Sequence, residues 1–238
     1  CFALTHYSLA VDYRNDSLRD ERVRVQAQNP PLGGGNQPIG EQRQTLFFRD
    51  GYAWNLDRLG KPTPAQIERD LRPASKAREV QLLFTPQGFL QAAQRANSSA
   101  RTEQVAGKTK TIVAFVSTNK VPLEGTLYEQ NHLERIRTWV ETPVLGDVVL
   151  DTTFANYQYF NGTLFPQHIV ESEGGYPVLD ITVTAVKVNS VEPIEVPTSI
   201  REAAAKVTPP IKPQPYGEGI WILPGKDYHA SKSILVEF

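Results

Sequence analysis

From about residue 108 to 187 the chain alternates short β-forming runs with turns too short to hold a crossover helix, and this restricts the fold more than any other feature. Runs at 109–117, 121–129, 134–140, 148–158, 163–171 and 177–187 are rich in Val, Ile, Thr, Tyr and Phe. Between them stand turn signals such as Asn119-Lys120, Asn161-Gly162 and Glu173-Gly174-Gly175. Parallel neighbours need a connection of a dozen or more residues, so these strands run antiparallel, as a meander. The alternation in Ile181-Thr-Val-Thr-Ala-Val-Lys-Val188 turns one face to a core and the other to solvent or a cavity.

The N-terminal third reads in the same way, with helices inserted. Residues 2–13 and 22–25 carry strand patterning, and 42–49 returns through Asp50-Gly51 to 52–55. Asp-Gly between β-rich runs signals a hairpin, because both turn positions need positive φ. The Gly- and Pro-dense stretch from Asn29 to Gly40 reads as a loop. Thr63-Pro64 has the cap and first-turn proline of a helix over 63–70; further helices are expected over 75–83 and 89–97, the last opened by Thr85-Pro86. Lying between strand blocks, these helices should cover one sheet face. The expected fold is therefore mainly β (α+β): a curved antiparallel meander with two or three helices on one face over 1–195. A Pro-rich linker at 196–216 follows, holding Pro209, Pro210, Pro213 and Pro215 and a short helix at 199–207. A terminal hairpin, 219–223 and 233–238, ends the chain as the incomplete start of a second domain over 217–238.

Composition excludes some functions. The 25 basic residues balance 26 acidic ones, so no global field favours nucleic acid. No apolar run approaches the ~20 residues of a membrane-spanning helix. The single cysteine, Cys1, permits no intrachain disulfide; it reads as a chain boundary rather than a lipid-anchored terminus, since Phe2-Ala3-Leu4 is already strand-like. Asn15, Asn97 and Asn161 head glycosylation sequons.

No catalytic or metal-binding constellation is complete. His6, His132, His168 and His229 are scattered, without the close spacing of a zinc motif. Gly33-Gly34-Gly35 lacks the Lys-Ser/Thr of a phosphate loop. Asp147, Asp151 and Asp180 sit near strand ends, where carboxylates commonly cap turns. The aromatics carry more information: Tyr128, Trp139, Phe154, Tyr157, Tyr159, Phe160 and Phe165 crowd the meander. They are either a core between sheet and helices or the lining of an apolar cavity for a lipid-like ligand. The candidate groove comprises Tyr128, Trp139, Tyr157, Tyr159, Phe165 and His168.

Asn29-Pro-Pro-Leu-Gly-Gly-Gly35, Gly51-Tyr-Ala-Trp-Asn55, Thr85-Pro-Gln-Gly-Phe89, Thr138-Trp-Val-Glu-Thr-Pro-Val-Leu-Gly-Asp147 and Gly174-Gly-Tyr-Pro-Val-Leu-Asp180 occur in this order. Together they resemble the N-terminal region of a family of exported metallo-β-lactamase-fold hydrolases. Gly219-Ile-Trp-Ile-Leu-Pro-Gly225 and His229-Ala-Ser231 resemble the opening of that family's hydrolase domain. The resemblance implies an exported accessory domain, periplasmic or secreted, serving dimerisation or substrate presentation. Zinc would belong to a longer parent enzyme, on a His-x-His-x-Asp-His motif that this chain lacks; the chain itself would carry no cofactor. Partners would be the remaining hydrolase domain or a second copy.

The meander with helices on one face is also similar to the half-barrel of periplasmic lipoprotein carriers, by analogy of fold. That gives the alternative function: an exported carrier or binding module with a concave apolar groove for a lipid-like ligand. A third reading, a self-sufficient enzyme, needs a site built from residues such as His168 and Asp180.

Overall fold

The computed structural model describes residues 2–26, 40–65, 74–118, 120–128, 131–142, 146–190, 193–205, 213–223 and 233–236. By contacts the chain divides into Cys1–Arg201 and Glu202–Phe238. The first unit holds two open antiparallel sheets rather than the single expected one. Strands β1 (Phe2–Asp12), β2 (Ser17–Gln26), β3 (Gln42–Arg49), β4 (Tyr52–Leu56) and β5 (Pro62–Pro64) form a 5-stranded sheet in chain order. Helices α1 (Ala74–Leu83) and α2 (Pro86–Arg95) follow. A 7-stranded sheet then contains β6 (Ser99–Val105), β7 (Lys108–Val116), β8 (Pro122–Tyr128), β9 (His132–Thr142), β10 (Gly146–Phe160), β11 (Thr163–Glu173) and β12 (Tyr176–Thr182), each paired with its sequence neighbour. The architecture is thus mainly antiparallel β, unclosed and half-barrel-like, with helices against it.

The tight turns follow from residues that tolerate positive φ. Asp50-Gly51 adopts φ of 51° and 76°, and Asn161-Gly162 adopts 48° and 85°, the left-handed pair that matches strand twist. The β6–β7 hairpin turns the same way at Ala106-Gly107, with φ of 51° at an alanine. Alanine carries a Cβ and no side chain that can bond back to the turn, so little in the chain announces β6, which is exposed along its whole length.

Other expectations need correction. The helix expected over 63–70 begins as strand β5, because Pro62, Thr63 and Pro64 pair with Leu56, Asn55 and Trp54; residues 66–73 lie outside the described ones. As an edge strand, β5 tolerates its prolines. The strand expected over 177–187 stops at Thr182. Its last link is Val183 N to Gln167 O, 2.7 Å. The Gly-rich loop at 33–35 and His229 also lie outside the described residues. In the second unit, the expected hairpin is one part of a 3-stranded sheet: β13 (Gln214–Gly217), β14 (Ile220–Leu223) and β15 (Ser233–Val236).

Helix α3 (Thr198–Ala205) starts within the composition-defined linker. Ile194, Val196 and Ile200 pack on Trp54, with Phe47 and Tyr52 beside it. Phe47 and Trp54 stack 5.2 Å apart at 2°, and Arg49 Nη1 donates to Ile194 O at 2.6 Å. This segment covers the face of the 5-stranded sheet opposite Leu18 and Phe48, which meet Leu82 of α1.

Replacing Ala106 by Asn, which adopts left-handed φ more readily, is expected to raise stability by about 0.5–1 kcal/mol. Equilibrium urea unfolding checks this; an unchanged or lowered midpoint contradicts the assigned turn.

Candidate ligand site

The inner face of the 7-stranded sheet is the face that meets the helices. Cross-strand partners share a face, so Leu123 and Gly125 of β8 stand beside Thr138 and Ile136 of β9, and these beside Leu150 and Thr152 of β10. Phe84, Phe89 and Ala93 close over them, with Phe115, Leu133 and Phe154 completing a continuous apolar cluster. Phe89 is fully buried and rests directly on Gly125: a Cβ there would lie 2.2 Å from the Phe89 ring. Its ring also tilts against Phe115 at 5.2 Å and 53°.

Local chemistry holds α2 in that position. Thr85 caps the helix by accepting from Gly88 N at 3.2 Å, and Pro86 begins the first turn. The Thr85 hydroxyl donates to Leu82 O at 2.9 Å, which leaves Tyr13 Oη as the donor in their 2.8 Å contact. Gly88 is required here, since a Cβ would come within 2.0 Å of Leu82 O.

Helix α1 is held to the 5-stranded sheet by polar bonds. Arg78 Nη1 donates to Phe47 O (2.6 Å) and Trp54 O (2.7 Å), and Nη2 donates to Asn55 Oδ1 at 2.5 Å. Burial pulls this guanidinium down to about 10, so it stays charged at neutral pH. Gln81 Nε2 donates to Asp20 Oδ2 at 2.6 Å. Asp20 is wholly buried and also receives a fork from Arg22, Nε to Oδ1 at 2.8 Å and Nη2 to Oδ2 at 2.5 Å. Burial, then the nearby Asp20 charge, raises the Tyr7 phenol. Burial also raises the Glu171 carboxyl from β11, with Arg22 opposing and Asp20 reinforcing the shift. Charges from both sheets therefore meet at the margin of the apolar face.

The six aromatic and histidine candidates are not gathered on that face as one set. Tyr157 packs against the cluster, its hydroxyl donating to Leu133 O at 2.7 Å and its ring stacking on His132 at 4.7 Å; burial raises its phenol. Tyr128 lies under Lys108 and Lys110, 4.7 and 5.3 Å from the ring centroid. Trp139 is on the outer face opposite Val149, and Tyr159 is exposed. Phe165 is half-buried opposite Gln158. His168 Nε2 contacts Asp180 Oδ1 at 2.8 Å on an exposed surface. Sequence reasoning missed Phe89 and Gly125. Their signal was the single aromatic on a short capped helix and the lone glycine within a β-rich run.

Among the described residues, no group of three His, Cys, Asp or Glu could hold a metal ion, and no helix is long and apolar enough to cross a membrane.

Gly125→Ala drives a methyl into Phe89 and should cost roughly 1–3 kcal/mol, read from the denaturation midpoint; a neutral effect would mean that Phe89 does not sit there. Glu171 titrates higher in the folded than in the unfolded chain, so its contribution to stability falls as pH rises from the ordinary value of 4.5 through its raised one. Glu171→Gln should therefore be more stable than the parent at neutral pH, with the gap closing below pH 4.5. A gap that is constant with pH contradicts the burial of that carboxyl.

No family model and no curated protein matches the chain. Two solved structures are similar to it at 12% identity. One is a LolA superfamily protein from Nitrosomonas europaea, covering 72% of this chain and 74% of that one at a TM-score of 0.39. The other is an outer membrane lipoprotein-sorting protein domain from Vibrio parahaemolyticus, covering 79% and 87% at a TM-score of 0.35. The solved structures found are of a different kind from a metallo-β-lactamase accessory region, and that expectation is corrected accordingly; the zinc of a parent enzyme and a hydrolase domain as partner are without support.

Proposed function

We propose that residues 1–201 form a carrier or binding module for a lipid-like ligand, and that the ligand occupies the apolar face now covered by α1 and α2. The observation that carries this reading is the seat of Phe89 on Gly125. A helix-borne aromatic fills a space on an open sheet that an acyl chain of similar cross-section can fill instead. The covering layer is slight: α1 and α2 are 10 residues each, too short to be stable alone. Their hold is uneven. Arg78 and Gln81 tie α1 to the 5-stranded sheet, whereas α2 meets the 7-stranded sheet through apolar side chains. Apolar contacts are non-directional, and a lipid replaces them without leaving a polar group unpaired. The compartment belongs to the same proposal: an exported protein, periplasmic or secreted, working where lipid must cross water.

The reading is tested by titrating delipidated protein with cis-parinaric acid. Saturable binding is expected, and it should tighten in Phe89→Leu and Phe89→Ala, where the competing ring is trimmed or removed. The leucine variant guards against loss of fold, since Phe→Ala in a core costs about 3–5 kcal/mol. No saturable binding, or binding indifferent to both variants, overturns the proposal.

A further inference from the structure

We propose that the tip of the β10–β11 hairpin, residues 157–166, is a contact site for the headgroup interface of a lipid bilayer. The hairpin outruns the pairing of its sheet. β9 pairs with β10 only as far as Thr153, and β12 pairs with β11 only from His168 onward, with Val183 N to Gln167 O, 2.7 Å, as the outermost link. Beyond it, among the described residues, 157–160 pair with 163–166 alone, and Asn161-Gly162 turns the tip. Four residues at about 3.3 Å each carry the arm roughly 13 Å past those links. A two-stranded arm is marginal in water, so its base is what orients it. There Pro166 is fully buried and the Tyr157 hydroxyl donates to Leu133 O at 2.7 Å.

The composition of the arm selects the partner. No Asp, Glu, Lys or Arg occurs in the 19 residues 152–170, where the chain's overall share of 21% would place about four. The neighbouring strands are charged: β9 carries Glu134, Arg135, Arg137 and Glu141, and β12 carries Asp180. A partner steered by charge therefore has nothing to meet at the tip. What the tip offers is rings and amides. Tyr159, opposite Leu164, leaves 74% of its surface to water; Phe160, Leu164 and Phe165 are only half-buried, and Gln158 and Asn161 are exposed. Aromatic side chains with one polar end collect where a bilayer meets water, the ring toward the acyl chains and the hydroxyl among the headgroups. That layer is about 5–7 Å thick on each side of a bilayer, within the reach of the arm. The unpaired backbone groups along both edges of the arm set its depth, because hydrated headgroups satisfy them and hydrocarbon does not. The contact stands without the carrier reading; joined to it, it places exchange of the ligand at a lipid surface.

The test is flotation of the whole chain with vesicles of phosphatidylcholine, alone and with phosphatidylglycerol added, at low and at high salt. The chain should float with both, equally at either salt, because no charge takes part. Tyr159→Ser should weaken partition onto the vesicles about tenfold. Gln158→Glu, which sets one charge in the tip and removes no apolar group, should weaken it too. Tyr176→Ser removes a similarly exposed ring, 78%, at the opposite end of β11 and should change nothing. Cis-parinaric acid binding in solution should be the same in all three variants, so this contact and the carrier face fail separately. No flotation, flotation only with phosphatidylglycerol, flotation indifferent to both tip variants, or an equal loss in Tyr176→Ser overturns the proposal. So does self-association that Tyr159→Ser abolishes, since the tip would then seat a second copy of the chain.

Discussion

The placement of Phe89 on Gly125 is the contact on which the rest of the first unit depends. A sheet with one apolar face must bury it, and the 7-stranded sheet does so under α2 and the adjoining Phe84. Full burial of a phenylalanine contributes about 1.5–3 kcal/mol. The contact forms only where the sheet has no Cβ, so one glycine fixes both the depth and the register of the helix. The cap at Thr85 and the close approach of Gly88 to Leu82 O deliver the ring to that spot.

The charged residues show a different logic. Asp20 is wholly buried, yet Arg22 and Gln81 satisfy its oxygens, and Arg78 meets two backbone carbonyls and Asn55. Taking such groups out of water costs several kcal/mol each, which good geometry offsets without much surplus. Their effect is orientation: they hold α1 on the 5-stranded sheet in one position, while the apolar cluster holds α2 on the other sheet. A layer bound by direction on one side and by area on the other has a natural line of parting. That is why the carrier reading places its ligand beneath α2.

Much of the fold was legible from residues. Asp50-Gly51 and Asn161-Gly162 marked hairpins because both positions need positive φ, and Thr85-Pro86 marked a helix start through its cap. The readings failed where a local signal had two meanings. Thr63-Pro64 looked like a second capped start but pairs as an edge strand beside Trp54. The alternation after Ile181 continued past Thr182, where the pairing with β11 ends. The aromatics were visible as a set, but composition could not say that Tyr157 turns to the core while Trp139 and Tyr159 face solvent.

The sequence by itself determined that the meander strands are antiparallel neighbours, because short links permit nothing else, and that short helices interrupt the strand order. Only the tertiary structure decided that the strands divide into two sheets, that Phe89 and Gly125 meet, and that Asp20, Arg22, Gln81 and Glu171 converge from three separate elements. The physical reason is range. Turn chemistry and strand period act over a few residues and can be read there. Packing partners such as Phe89 and Gly125 are set by which surfaces exclude water together, and that is a property of the whole folded chain.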